Sequence, residues 1–103
     1  MGNYLFAYRG GQMAQTDEER QAAMAAWRAW FGQLGDATVD PGNPFAGSTS
    51  VGANGAGGAA DSQLTGYSVV KADSLDAATS LAGGCPVLSH GGSVDIYETI
   101  EVM

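Results

Sequence analysis

The stretch "GYSVVKADSLDAATSLAGG" (66–84) joins a strand to a helix with almost nothing between them. Residues 66–72 are rich in β-branched and aromatic side chains, which fit a pleated surface. Asp73 or Ser74 is placed to cap a helix, and Leu75, Ala78, Leu81 and Ala82 recur at helical spacing as its buried stripe. Gly83 and Gly84 end it. A strand that runs straight into an amphipathic helix needs a sheet for that helix to cover, so both layers belong to one core.

The same order occurs earlier in the chain. "NYLFAYR" (3–9) alternates Tyr4, Phe6 and Tyr8 with Leu5, Ala7 and Arg9, a strand pattern closed by Gly10 and Gly11. In "TDEERQAAMAAWRAWFGQLG" (16–35), Thr16 with Glu19 forms a capping box, and Asp17, Glu18 and Glu19 complement the positive end of the helix dipole. Ala23, Trp27, Trp30, Phe31 and Leu34 share one face, and Gly35 supplies the stop.

"ATVDPGNPF" (37–45) reads as a short strand broken at a Pro-Gly turn. The following small, polar stretch, about 47–65, reads as a flexible glycine-rich arm, either a long hairpin or a loop with a brief strand near Val51. Its glycines do not sit between a strand and a helix, which argues against a phosphate-binding loop. "GSVDIYETIEV" (92–102) alternates Val94 and Ile96 with Asp95 and Tyr97 as a last strand. The order β-α-β-β-α-β predicts a ferredoxin-like α+β sandwich whose two helices cover one side of an antiparallel sheet. The uncovered side would expose Tyr4, Phe6 and Tyr8 or their alternates, and pairing two such faces gives a dimeric α+β barrel.

With 103 residues the chain reads as a single domain, 1–103. A chain of this size buries only about 60 to 70% of its unfolded surface, and 16 glycines add little to a core. Self-association is an economical way to gain core. The net charge of −7, with four basic residues, disfavours nucleic acid and anionic membranes as partners, because phosphate neutralisation needs clustered Lys and Arg. A single cysteine excludes an internal disulfide, and the opening residues do not read as a cleavable signal, so a reducing cytoplasm is the expected compartment.

"YRGG", "MAAWRAWFGQLG", "VDPGNPF", "GYSVVKADSLDAATSLAGGCPVL" and "GGSVDIYE", in this order, resemble the YCII-related (DGPF-like) proteins of the dimeric α+β barrel superfamily. The resemblance covers nearly the whole chain apart from the arm, and it implies a homodimer. Some relatives resemble muconolactone isomerases and chloromuconolactone dehalogenases. Members with a proposed site place a histidine on the first helix near an aspartate after the second strand. Here Trp27 stands at the helix position and Asp40 matches the aspartate, while Arg9 replaces the histidine of the "YHGG" often found in similar sequences.

The residues offer few groups for chemistry. Cys85 follows a helix C-terminus, where the dipole disfavours a thiolate, and reads as a packing residue. His90 is the one ordinary side chain that titrates near neutrality, so it is a candidate proton-transfer group as well as a candidate surface turn residue. Asp40 is the other catalytic candidate, and it equally suits a turn beside Pro41 and Gly42. Arg9 suits a carboxylate clamp or a structural ion pair. Tyr8, Asn43 and Trp27 complete the candidate ligand-binding set, with Trp27 and Trp30 also serving the core. One histidine and one cysteine do not make a zinc site, and no cofactor motif is present.

Two readings follow. The first is a homodimer binding a small carboxylate- or lactone-type molecule in a barrel cavity. Its enzymatic form is a cofactor-independent isomerase, lyase or dehalogenase using Asp40 or His90. The alternative is a non-catalytic scaffold or accessory dimer.

Overall fold

Alternation alone leaves two candidate buried faces on the first strand, and packing selects one. The computed structural model describes residues 2–11, 14–58 and 63–102. Tyr4, Phe6 and Tyr8 of β1 (Gly2–Arg9) are buried beneath the helices, with Phe6 at 0% exposure. Their alternates, not the aromatics, form the open side of the sheet.

The main sheet has the order β2-β5-β1-β6, with β2 Thr38–Asp40, β5 Leu64–Ala72 and β6 Ser93–Glu98. Every neighbouring pair is antiparallel. β1 sits between β5 and β6, pairing Gly2 with Ala72 through Tyr8 with Gly66 on one edge, and Tyr4 with Glu98 through Arg9 with Ser93 on the other. Two helices, α1 (Asp17–Leu34) and α2 (Leu75–Ala82), pack into the same core on one side. This is a small α+β domain, and its strand order and helix placement are compatible with a ferredoxin-like arrangement. Within the arm, β3 (Val51–Gly52) and β4 (Gly55–Ala56) form a two-stranded hairpin, and residues 59–62 of the expected arm lie outside the described residues.

Local signals explain the helix ends. Thr16 Oγ1 accepts from the Glu19 amide at 3.0 Å, and the Glu19 carboxylate accepts from the amide of Gln15 at 3.0 Å. The return arm of the expected capping box thus reaches one residue further back than Thr16. Ser74, not Asp73, caps α2 by accepting from Ala77 N–H at 3.0 Å. Leu75 departs from its expected place. It is 45% exposed, because the inward stripe of α2 runs through Ala77, Ala78, Leu81 and Ala82 and leaves the first helical residue outside it.

The centre of the core is aromatic. Trp30 stacks on Phe6 with ring centroids 6.2 Å apart and also meets Trp27 and Phe31. Its indole Nε1 donates to the Leu81 carbonyl at 3.2 Å, tying α1 to α2. Such a pairing satisfies the polar tip of a side chain that is otherwise buried. After α2, Pro86–His90 forms a 3-10 turn closed by Gly91, which leads into β6. No helix among the described residues is long and apolar enough to cross a membrane.

Candidate functional site

A cleft of about 970 Å³ opens beside α1. Trp27 and Phe31 belong to the inward stripe of α1, and Met24 and Arg28 extend the helix wall at neighbouring helical positions. Tyr8 and Ser68 form the sheet wall, while the 41–45 loop supplies Asn43 and Phe45. Val87 and His90 come from the turn after α2.

The loop wall is held by close backbone approach. Gly42 has φ +73°, a left-handed conformation suited to glycine. A Cβ there would stand 1.8 Å from the Tyr67 carbonyl oxygen. At the next contact, Gly66 lies against the Asn43 carbonyl and Pro44, where an added Cβ would be 3.1 to 3.2 Å from them. Phe45 then stacks on Tyr67 at 5.8 Å.

One hydrogen-bonded chain connects the sheet wall to this loop. Tyr8 Oη donates to Ser68 Oγ at 2.7 Å, and Ser68 Oγ donates to the Pro41 carbonyl at 2.6 Å. Ser68 is fully buried, so these bonds satisfy a polar group that would otherwise be costly to place in a core. Burial pushes the Tyr8 phenol well above its usual range, and the bond with Ser68 opposes that shift only in part. Trp27 packs edge-on against Tyr8, with centroids 5.0 Å apart and planes at 70°.

Of the six residues singled out in the sequence, Tyr8, Trp27, Asn43 and His90 line this cleft. Arg9 lies across the sheet, where it pairs with Asp95 at 3.3 Å. Both side chains are substantially exposed, so the pair adds little stability. Asp40 also stands outside the lining. Its Oδ1 accepts from the Gly42 amide at 2.8 Å and its Oδ2 from the Tyr67 hydroxyl at 3.4 Å, so the carboxylate braces the turn that shapes the loop wall. Asp40 and His90 therefore do not share this pocket lining.

Sequence reasoning missed Arg28, Ser68 and Phe45. Arg28 carried a usable signal, since it stands four residues after Met24 and three before Phe31 on the helix. Ser68 was also visible as the polar member of the inward series Gly66, Ser68, Val70 and Ala72. Phe45 had no periodic signal, because a loop places it.

Cys85 is a core residue at 2% exposure, and burial pushes its thiol up to about 11. An unfolded chain ionises Cys near 8.5 and Tyr near 10. Below those values both states keep their protons, so neither group creates a pH dependence. Above them the unfolded chain loses protons that native Cys85 and Tyr8 retain, and stability falls as pH rises. Urea melts are expected to show a loss on the order of 3 kcal/mol from the thiol by pH 11. Cys85→Ala should be less stable at pH 7 but show a shallower alkaline slope; an unchanged slope would exclude the thiol as its source. No metal-binding group of three or more His, Cys, Asp or Glu occurs among the described residues.

No protein-family model matches this sequence, and no curated protein matches it.

Proposed function

We propose that this chain binds a small carboxylate- or lactone-type molecule in the cleft beside α1, as a homodimer of the YCII-related kind. The cleft carries the proposal: it combines a mainly apolar lining, with five aromatic side chains in it, and a few polar groups on separate elements. That combination is typical of small-molecule sites, where apolar walls supply affinity and sparse polar groups set orientation. The motif resemblance supports the dimeric barrel, and the open side of the sheet supports the same assembly. There Leu5 and Val69 are half-buried neighbours, and Tyr97 is 56% exposed beside Leu5.

In the enzymatic form, a cofactor-independent isomerase, lyase or dehalogenase, His90 is the group placed to move a proton. Asp40 contributes by holding the turn. His90→Ala is expected to lower turnover of any active lactone or carboxylate by about a hundredfold or more, the usual range for losing general acid–base catalysis. Unchanged turnover would remove His90 from that role.

Amide NMR during titration with small lactones and carboxylates tests binding. Shifts concentrated at Trp27, Ser68 and Asn43 are expected, and an unchanged spectrum throughout the series would reject the site. Light scattering tests assembly separately. The wild type should run at twice the chain mass and Val69→Lys at the monomer mass, because a lysine on the open face would have to be desolvated in the dimer. A wild-type monomer would reject the dimer.

A further inference from the structure

Resting on small-molecule binding in the cleft, we propose that its ligand is a flat, fused-ring aromatic carboxylate bearing a hydroxyl group remote from the carboxylate. Three features of the cleft select these parts.

Size admits the fused rings, and the aromatic lining favours them. A cleft of about 970 Å³ leaves room for a body larger than a single-ring lactone. Aromatic side chains stand on three of the walls, with Trp27 and Phe31 from the helix, Tyr8 from the sheet and Phe45 from the loop. Aromatic ligands gain from such rings through stacked and edge-on contacts in addition to area burial.

Charge selects the carboxylate and its end of the cleft. Arg28 lines the cleft and has no ion-pair partner among the described residues, whereas Arg9 and Arg20 are paired with Asp95 and Asp17. The other titratable side chains of the lining, besides the tyrosines, are Glu19 and His90. Glu19 is nine residues from Arg28, roughly 13 Å along the helix axis. Its carboxylate already accepts from Gln15 N–H. An anionic ligand group is therefore directed to the Arg28 end, where a planar guanidinium suits a carboxylate.

Hydrogen-bond accounting selects the hydroxyl. Tyr8 spends its proton on Ser68, and Ser68 spends its own on Pro41. What Tyr8 Oη can still offer is acceptor capacity. Tyr8 lines the cleft, and a ligand hydroxyl that reaches Oη can donate to it, while a carboxylate finds no donor there.

NMR titrations should compare 6-hydroxy-2-naphthoate, 2-naphthoate, 2-naphthol, benzoate and γ-valerolactone on the wild type, Arg28→Gln and Tyr8→Phe. The hydroxynaphthoate is expected to bind most tightly, about tenfold more tightly than 2-naphthol, as loss of a charge-assisted hydrogen bond implies. Arg28→Gln should erase that gap without weakening 2-naphthol. Because Arg28 is exposed on the helix, this variant does not disturb the core. Tyr8→Phe should erase the preference for hydroxynaphthoate over 2-naphthoate. If benzoate or γ-valerolactone shifts cleft resonances and binds as tightly as the naphthoates, small-molecule binding stands and the fused-ring assignment fails. An Arg28→Gln profile equal to wild type overturns the carboxylate assignment. No cleft shift with any probe overturns both the ligand class and the binding site.

Discussion

Trp30→Ala is expected to cost about 4 kcal/mol of stability, the usual loss for truncating a large buried aromatic. At about 4 to 8 °C per kcal/mol for a domain of this size, thermal unfolding should begin to shift by roughly 16 °C or more. Trp30 is 3% exposed, stacks on Phe6 and meets both Trp27 and Phe31, so truncation removes the centre of the aromatic core. It also leaves the Leu81 carbonyl without its indole donor. Trp30→Phe keeps much of the ring packing and should cost about half as much. Calorimetry on both variants is decisive. A Trp30→Ala midpoint within about 5 °C of wild type would mean that the core does not depend on this side chain.

Gly42→Ala is expected to be the next most damaging change, at about 3 kcal/mol or more. The left-handed backbone alone costs an L-residue about 1 to 2 kcal/mol. The larger effect is steric, since no Cβ can remain 1.8 Å from the Tyr67 oxygen. The loop must move away from β5, which threatens the Gly42–Asp40, Ser68–Pro41 and Tyr67–Asn43 hydrogen bonds together. Thermal melting should fall by roughly 12 °C or more. Probe binding in the cleft should be lost as well, because Pro41, Asn43 and Phe45 line it. Asp40→Asn provides the contrast: its amide oxygen can still accept from Gly42, so stability should change by less than about 1 kcal/mol. A Gly42→Ala protein with wild-type melting and probe affinity would show that the loop does not need its close seat on β5.

Much of the element order was legible because local interactions set it. Thr16 and Ser74 accept from amides three residues ahead, and the intervening apolar spacing carries each helix to its glycine-rich end. The site was only partly legible. Tyr8 and Trp27 came forward as aromatics, but Arg9 and Arg28 are both single cations beside aromatic residues, and only the helical spacing of Arg28 to Met24 and Phe31 sets them apart. The strand sends Arg9 to the side of the sheet where Asp95 stands, whereas the helix brings Arg28 to the cleft. Asp40 presents the same ambiguity, because a carboxylate before Pro-Gly can serve either a turn or a proton transfer. Its bonds to Gly42 and Tyr67 show it serving the turn.

By itself the sequence determined the order of the principal strands and helices and the caps of both helices, because caps, periodicity and turn residues act within a few positions of the chain. Strand ends were less exact: the last strand stops at Glu98 and not at 102, and β5 starts at Leu64, two residues before the expected Gly66. Tertiary structure decided which side of β1 the helices cover, since Tyr4, Phe6 and Tyr8 alternate with Leu5 and Ala7, and both sets contain apolar residues. The larger aromatics win the interior by packing with Trp30 and Val70, partners far away in the chain. Tertiary structure also placed Ser68 beneath Tyr8, 60 residues away in sequence, and fixed the Pro41 carbonyl against it. Such a cleft depends on distances between elements, and no local spacing encodes them.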